Sequence, residues 1–152
     1  MIEYKYNADI FRSKAEALVN PVNCLGILGK GLAKQFNQHF PDECRRYMAW
    51  CQSGEARIGA VLAAPTAIER PRWIIHFPTK DDWRHKSQLN YIARGLVDLV
   101  DCVGKFAIDS VAVPALGCGE GGLPWSAVKA LIMSHLESAA NDTRWEVYPP
   151  HD

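Results

Sequence analysis

Apolar and polar residues alternate over Ile2-Glu3-Tyr4-Lys5-Tyr6, the period-two spacing of a half-buried strand. Asn7-Ala8-Asp9-Ile10 breaks the alternation. Ser13 and Glu16 stand at capping-box spacing, which predicts a short helical turn before the strand-like apolar run Ala17–Val19. Leu32, Ala33, Phe36 and Phe40 recur at helical spacing, and Pro41 restarts a helix that carries Tyr47, Met48 and Trp50. Gly59–Pro65 and Arg72–Phe77 are two more strand-like runs. Ser87 opens a long helix with Leu89, Ile92, Leu96, Leu99, Val100 and Val103 on one face, and Gly104 is its predicted stop. Ser110–Pro114 has the pattern of a buried strand. Pro124 begins a last helix with Val128, Leu131, Ile132 and Leu136 on its apolar face, and Arg144–Tyr148 is a final strand. Strands alternating with helices predict an α/β layered domain with a largely parallel sheet. No repeat, linker or low-complexity stretch interrupts it, so residues 1–152 are expected to form one domain.

Composition narrows the function classes more than the fold. The 152 residues are 48% hydrophobic, enough for a proper core. Seventeen basic residues balance seventeen acidic ones, so no bulk field draws the chain to nucleic acid or membrane. A local basic patch at Arg84-His85-Lys86 is the exception to test. Five cysteines without CxxC spacing read as reduced thiols, which predicts a cytoplasmic protein, and the scattered histidines suggest no metal site. Met1 leads directly into a strand pattern, so no signal peptide is expected. No apolar run approaches membrane-spanning length.

The chemistry gathers in two glycine-rich turns, each following a strand and preceding a helix. The first runs VNPVNCLGILGKGLAKQF from Val19 to Phe36, with Asn20, Asn23, Gly26, Gly29, Lys30 and Gly31. Glycines let the backbone approach a ligand with its N–H groups free, and asparagine amides bond hydroxyls in both senses. Something anionic and hydroxylated, such as a nucleotide diphosphate, fits this turn. It is not a Walker A loop: only two residues separate Gly26 from Gly29-Lys30, and Gly31 occupies the hydroxyl position. The second turn is Ala115 to Gly122, in which Gly117, Gly119 and Gly122 satisfy G-x-G-x-x-G. A Rossmann reading fails because the turn comes late in the chain, and Glu137, at the right distance for the ribose-binding acid, falls inside the last helix.

These motifs resemble the macrodomain family, on Asp9-Ile10, on VNPVN with its glycine loop, on PALGCGEGG (Pro114–Gly122) and on the terminal strand. The resemblance implies a three-layer α/β/α sandwich with a mixed, roughly six-stranded sheet, and ADP-ribose as ligand. It implies that Asp9 accepts from the adenine amino group with Ile10 alongside, and that Asn23 holds the distal ribose. Tyr148 either flanks the adenine or packs in the core, and Asn20 either touches the ligand or supports Asn23. Gly29, Lys30 and Gly31, with Leu116, Gly117, Cys118, Gly119, Glu120, Gly121 and Gly122, would close over the diphosphate. Within the family the chain is most similar to the branch of the DarG-type DNA ADP-ribosyl glycohydrolase antitoxins and the human terminal ADP-ribose glycohydrolases. Phe77 to Ser87, FPTKDDWRHKS, carries the F-P-T-K-x-x-W spacing of that branch.

In that branch the lysine is catalytic, and it falls on Lys80. The human enzymes pair it with an aspartate whose position here is Gly121; DarG-type sequences have Gly-Gly there, as at Gly121-Gly122. Asp81-Asp82 departs from the basic or histidine residues usual before the tryptophan. The resemblance implies removal of ADP-ribose from thymine in single-stranded DNA, no cofactor, and a cognate ADP-ribosyltransferase toxin as partner to a monomer. By residue type, Arg84 and Lys86 offer DNA contacts unless Asp81-Asp82 pair with Arg84, and Trp83 either stacks on a base or packs against the Leu89–Val103 helix. The alternatives are hydrolysis of ADP-ribosyl-glutamate or O-acetyl-ADP-ribose, and a non-catalytic ADP-ribose reader. With zero net charge, DNA beyond the modified base is expected to add little affinity. His76 is read as a core histidine and Trp125 as core.

Overall fold

The computed structural model describes residues 1–139 and 142–152. Its strands are β1 (Ile2–Tyr4), β2 (Ala17–Val22), β3 (Leu62–Pro65), β4 (Trp73–Pro78), β5 (Ser110–Val113) and β6 (Arg144–Val147). Its helices are α1 (Gly31–His39), α2 (Pro41–Gln52), α3 (Leu89–Lys105) and α4 (Trp125–Glu137), with a 3-10 turn at Ile10–Arg12. The strands form one sheet in the order β1-β6-β5-β2-β4-β3. Every neighbouring pair is parallel except the edge pair, where β3 runs antiparallel to β4 from Leu62↔His76 to Pro65↔Trp73.

Side chains alternate across each strand, and the two faces bury different sets. Ala17 and Val19 of β2 join Ile75, Phe77, Val111, Val113, Trp145 and Val147 beneath α3 and α4. Leu18 and Val22 join Ile74 and Ala112 beneath Phe36 of α1, Cys44 and Tyr47 of α2, and Ile10. Strands apolar on both faces are what a covered parallel sheet requires. The expected three-layer sandwich with a mixed six-stranded sheet is the fold observed.

Four local expectations give way to tertiary partners. The Ser13 hydroxyl does not cap a helix: it accepts from the Ala15 N–H (3.0 Å) and donates to Glu146 (2.7 Å). The helical turn lies earlier, at Ile10–Arg12, where the Asp9 side chain accepts from the Phe11 N–H. The Gly59–Pro65 run becomes strand only from Leu62, because the Val61 N–H goes to the Asp98 carboxylate at 2.8 Å. Helix α3 starts at Leu89 rather than Ser87 and passes through Gly104 to Lys105, with the chain reversing at Ala107, φ 51°.

The sheet parts near its middle. β2 and β5 pair over Ala17↔Val111 and Leu18↔Ala112, towards the start of β2. The Val22 carbonyl accepts from Thr79 on the β4 side at 2.8 Å, so Pro21, one residue earlier, turns its missing N–H the other way. No β5 partner stands there, which is why a central strand tolerates a proline. Pro21 instead lines the opening between β2 and β5.

Candidate active site

Five mutually parallel strands bring their C-terminal loops to one edge, and the chain leaves β2 and β5 towards opposite layers. Ligands of open α/β sheets bind in the crevice such a divergence opens. A cleft of about 1230 Å³ occupies it. Pockets for single small molecules span roughly 300–1,000 Å³, so this one suits an elongated ligand.

At one end stand Asp9, Ile10 and Tyr148, with Pro149, Pro150 and His151. Asp9 accepts from the Phe11 N–H at 3.0 Å through one oxygen, which fixes the carboxylate and leaves the other oxygen for a ligand donor. The Tyr148 hydroxyl donates to Glu146 at 3.0 Å, and burial pushes it up to about 12, so its ring presents an apolar face with a fixed tip. The middle is walled by Gly29, Lys30 and Gly31 on one side and by Gly117, Cys118, Gly119, Glu120 and Gly121 on the other. Helix α1 starts at Gly31 (φ 59°), so the unbonded N–H groups of its first turn belong to this wall. Burial pushes the Cys118 thiol up to about 11, which leaves no thiolate nucleophile at neutral pH.

Asn23 organises the first loop as well as lining the cleft. Its amide nitrogen donates to the Ile27 carbonyl (2.8 Å), and its oxygen accepts from the Leu25 N–H (2.9 Å). Beneath it the buried Tyr47 hydroxyl lies 2.9 Å from the same oxygen and 2.8 Å from the Asn23 carbonyl. Nothing in the sequence links residues 23 and 47; only the packing of α2 against β2 does.

Lys80 follows β4 into the cleft, and its Nζ donates to the Trp83 carbonyl at 3.3 Å. Trp83 is 46% exposed, so it is not packed under α3. The Arg84-His85-Lys86 patch has acidic neighbours. Asp82 takes the Arg84 guanidinium through both oxygens, at 2.9 and 2.6 Å, and Asp81 lies 3.5 Å from the His85 ring. The guanidinium holds the Asp82 carboxyl well below the usual carboxylate range. Lys86 lies along Gly122, its Nζ 3.4 Å from where a Cβ would stand.

Three expected ligand contacts lie outside the cleft wall. Asn20 is fully buried, and its amide meets His76 Nδ1 at 3.2 Å, because alternation along β2 turns residue 20 into the α2 layer. Leu116 is fully buried in the α3–α4 core. Gly122, at φ 75°, closes the turn beside Lys86 and does not face the cleft. His76 is the core histidine expected: Nε2 donates to the Glu43 carbonyl at 3.1 Å, and burial lowers its pKa to about 4. Trp125 is half-buried against the core. Residues unforeseen in the sequence include Ile27, Gln35, Thr79 and His151, whose cleft positions depend on the loops' folded paths.

Gly121 settles the missing aspartate. A Cβ there would fall against the Ser87 hydroxyl and 2.5 Å from the Gly117 carbonyl oxygen. The loop has no room for any side chain at that position. Position 121 therefore offers no carboxylate to Lys80.

Fold and cleft together are those of an α/β domain with an elongated cleft walled by two glycine-rich loops. The Macro domain family matches residues 19–132, and the chain belongs to the macrodomain family. It is 42% identical over 151 residues to a DNA ADP-ribosyl glycohydrolase of Mycobacterium tuberculosis, covering 99% of this chain and 42% of the relative. It is 41% identical over 143 residues to the Thermus aquaticus DNA ADP-ribosyl glycohydrolase, covering 93% of this chain and 39% of that one. The chain thus spans about two fifths of the length of these relatives. Among solved structures, the macrodomain of Mycobacterium tuberculosis DarG superposes with a TM-score of 0.94 at 42% identity, covering 99% of this chain and 98% of that one. Thermosipho africanus DarTG in complex with ADP-ribose gives a TM-score of 0.87 at 33% identity, covering 93% of this chain and 40% of that one.

Proposed function

We propose that the chain is an ADP-ribosyl glycohydrolase that releases ADP-ribose from thymine in single-stranded DNA, and that it counters a cognate ADP-ribosyltransferase. The observation that carries this is Lys80 at the lip of a diphosphate-sized cleft, in a chain 41–42% identical to relatives named as DNA ADP-ribosyl glycohydrolases. Asp9 accepts from the adenine amino group, and Tyr148 and Ile10 flank the ring. The glycine loops supply N–H groups to the diphosphate, and the second amide hydrogen of Asn23 serves the distal ribose. That places the anomeric carbon towards Lys80 and the modified base towards Trp83, whose exposed ring offers a stacking face.

Cleavage breaks the ribose C1–nitrogen bond through an oxocarbenium-like transition state. As a free amine, Lys80 attacks C1, the base leaves with a proton, and water then hydrolyses the lysine adduct to free ADP-ribose. As an ammonium, Lys80 protonates the departing base while water takes C1. Borohydride trapping separates the two, since only the first yields protein heavier by ADP-ribose at Lys80.

The test compares ADP-ribose release from modified thymidine oligonucleotides and from glutamate-modified protein, with wild type and Lys80→Ala. Release from DNA alone, lost in Lys80→Ala with ADP-ribose affinity kept within a few fold, is the expected result. Release from glutamate alone replaces the substrate, and equal activity in Lys80→Ala removes the lysine from the chemistry. Binding with no release in any assay makes the domain a reader.

A further inference from the structure

The Asp81-Asp82 pair, set beside a cleft meant for a polyanion, has its explanation in the loop from Lys80 to Lys86. That loop is pinned at both ends to the ligand-binding loops: Cys24 N–H donates to the Asp81 carbonyl at 3.3 Å, and Ser87 N–H donates to the Gly121 carbonyl at 3.0 Å. Its centre is closed by Asp82. One carboxylate oxygen accepts from the Arg84 backbone N–H (2.9 Å) and from Arg84 Nε (2.9 Å), while the other accepts from Nη2 (2.6 Å). The Asp82 carbonyl also accepts from the His85 N–H at 3.0 Å. The Asp82 side chain is only 15% exposed, against 62% for Arg84. The guanidinium in turn lies 5.7 Å from the centre of the Trp83 ring. Between these fixed points sits the Trp83 carbonyl, the acceptor for Lys80 Nζ at 3.3 Å.

We propose that Asp82 is a positioning residue for Lys80: by closing the turn on Arg84 it presents the Trp83 carbonyl to the lysine and holds the Trp83 ring at the cleft mouth. A lysine has four rotatable bonds and about 2 kcal/mol of rotamer entropy, so a half-exposed one needs an anchor to keep its nitrogen in line with a reacting carbon. A bare carboxylate would do this by holding the lysine charged. Here Arg84 takes the negative charge of Asp82, and the anchor offered to Lys80 is a neutral carbonyl.

The inference rests on Lys80 as the reacting residue, and the experiment separates the two. Steady-state release of ADP-ribose from a modified thymidine oligonucleotide is measured for wild type, Lys80→Ala, Asp82→Ala, Asp82→Asn and Arg84→Ala, with the ADP-ribose Kd measured by calorimetry. Asp82→Ala is expected to lose at least tenfold in kcat, with the ADP-ribose Kd within twofold of wild type. Asp82→Asn, which keeps an acceptor for the Arg84 N–H, regains at least threefold of that loss. Arg84→Ala loses at least threefold in kcat; a role confined to DNA phosphates would show in KM and fade with salt. A kcat in Asp82→Ala within twofold of wild type overturns the proposal. So does a fall in ADP-ribose affinity as large as the fall in kcat, or an Arg84→Ala effect confined to KM. Should Asp82→Ala fail to fold, Asp82→Asn and Arg84→Ala decide by the same kcat-against-Kd comparison. A wild type inactive on modified DNA, or a Lys80→Ala variant as fast as wild type, defeats both readings. Dependence on Lys80 without dependence on Asp82 defeats this one alone.

Discussion

Gly119 and Gly121 stand two residues apart in one loop and answer opposite demands. A Cβ at Gly119 meets nothing within 4 Å, and its φ is not positive. Gly119→Phe should therefore fold normally, with a stability change below about 0.5 kcal/mol, and fill the cleft. Calorimetry should show ADP-ribose binding abolished while the melting temperature holds. Gly121→Asp introduces a carboxylate facing no free space: the new side chain must displace the Ser87 hydroxyl and a backbone carbonyl. It is expected to destabilise by about 2 kcal/mol or more in thermal melts, with no gain in turnover. His76 sets a pH dependence. Its folded pKa of about 4 lies below the usual 6.5, so its contribution is complete above pH 6.5 and is lost as the pH falls towards 4. The full loss is about 3 kcal/mol, and about 2 kcal/mol of it should appear in urea unfolding between pH 7 and pH 5. A His76→Gln variant should lack that component.

Among the elements, α3 and β4 make the closest approach through a glycine. A Cβ at Gly95 would lie 2.6 Å from Cε1 of Phe77, a ring with no exposed surface. Helix propensity alone favours Gly95→Ala by about 1 kcal/mol, whereas overpacking a closed core costs about 1–3 kcal/mol. The buried ring cannot swing away, so the second effect should win and Gly95→Ala should lower the denaturation midpoint. Helices α1, α2, α3 and α4 were legible because each carries an apolar stripe that tertiary contacts reinforce. The Ser13–Glu16 turn was misread for the opposite reason. Its capping hydroxyl is claimed by Glu146, from the far end of the chain, and capping signals are blind to such a competitor.

For the molecule as a whole, zero net charge and the pairing of Arg84 with Asp82 leave the positive field at the cleft mouth mainly to Lys30, Lys80 and Lys86. Turnover on modified oligonucleotides should rise only weakly with length. Lys86→Ala should lower the salt slope of binding by about one counterion, and Arg84→Ala by much less, which titrations at low and moderate salt will check. The layered α/β architecture, both glycine turns, Asp9 and Lys80 were all present in the sequence, because periodicity, turn chemistry and local motifs are written in neighbouring residues. Alternation turns Asn20 away from the cleft and into the His76 core, and a side chain's face depends on which layer covers it. That Tyr47 braces Asn23 and that Ser87 fills the space at Gly121 were decided only when distant segments met. A sequence supplies each group's capacity to bond; which partner claims it is a competition that only the packed structure resolves.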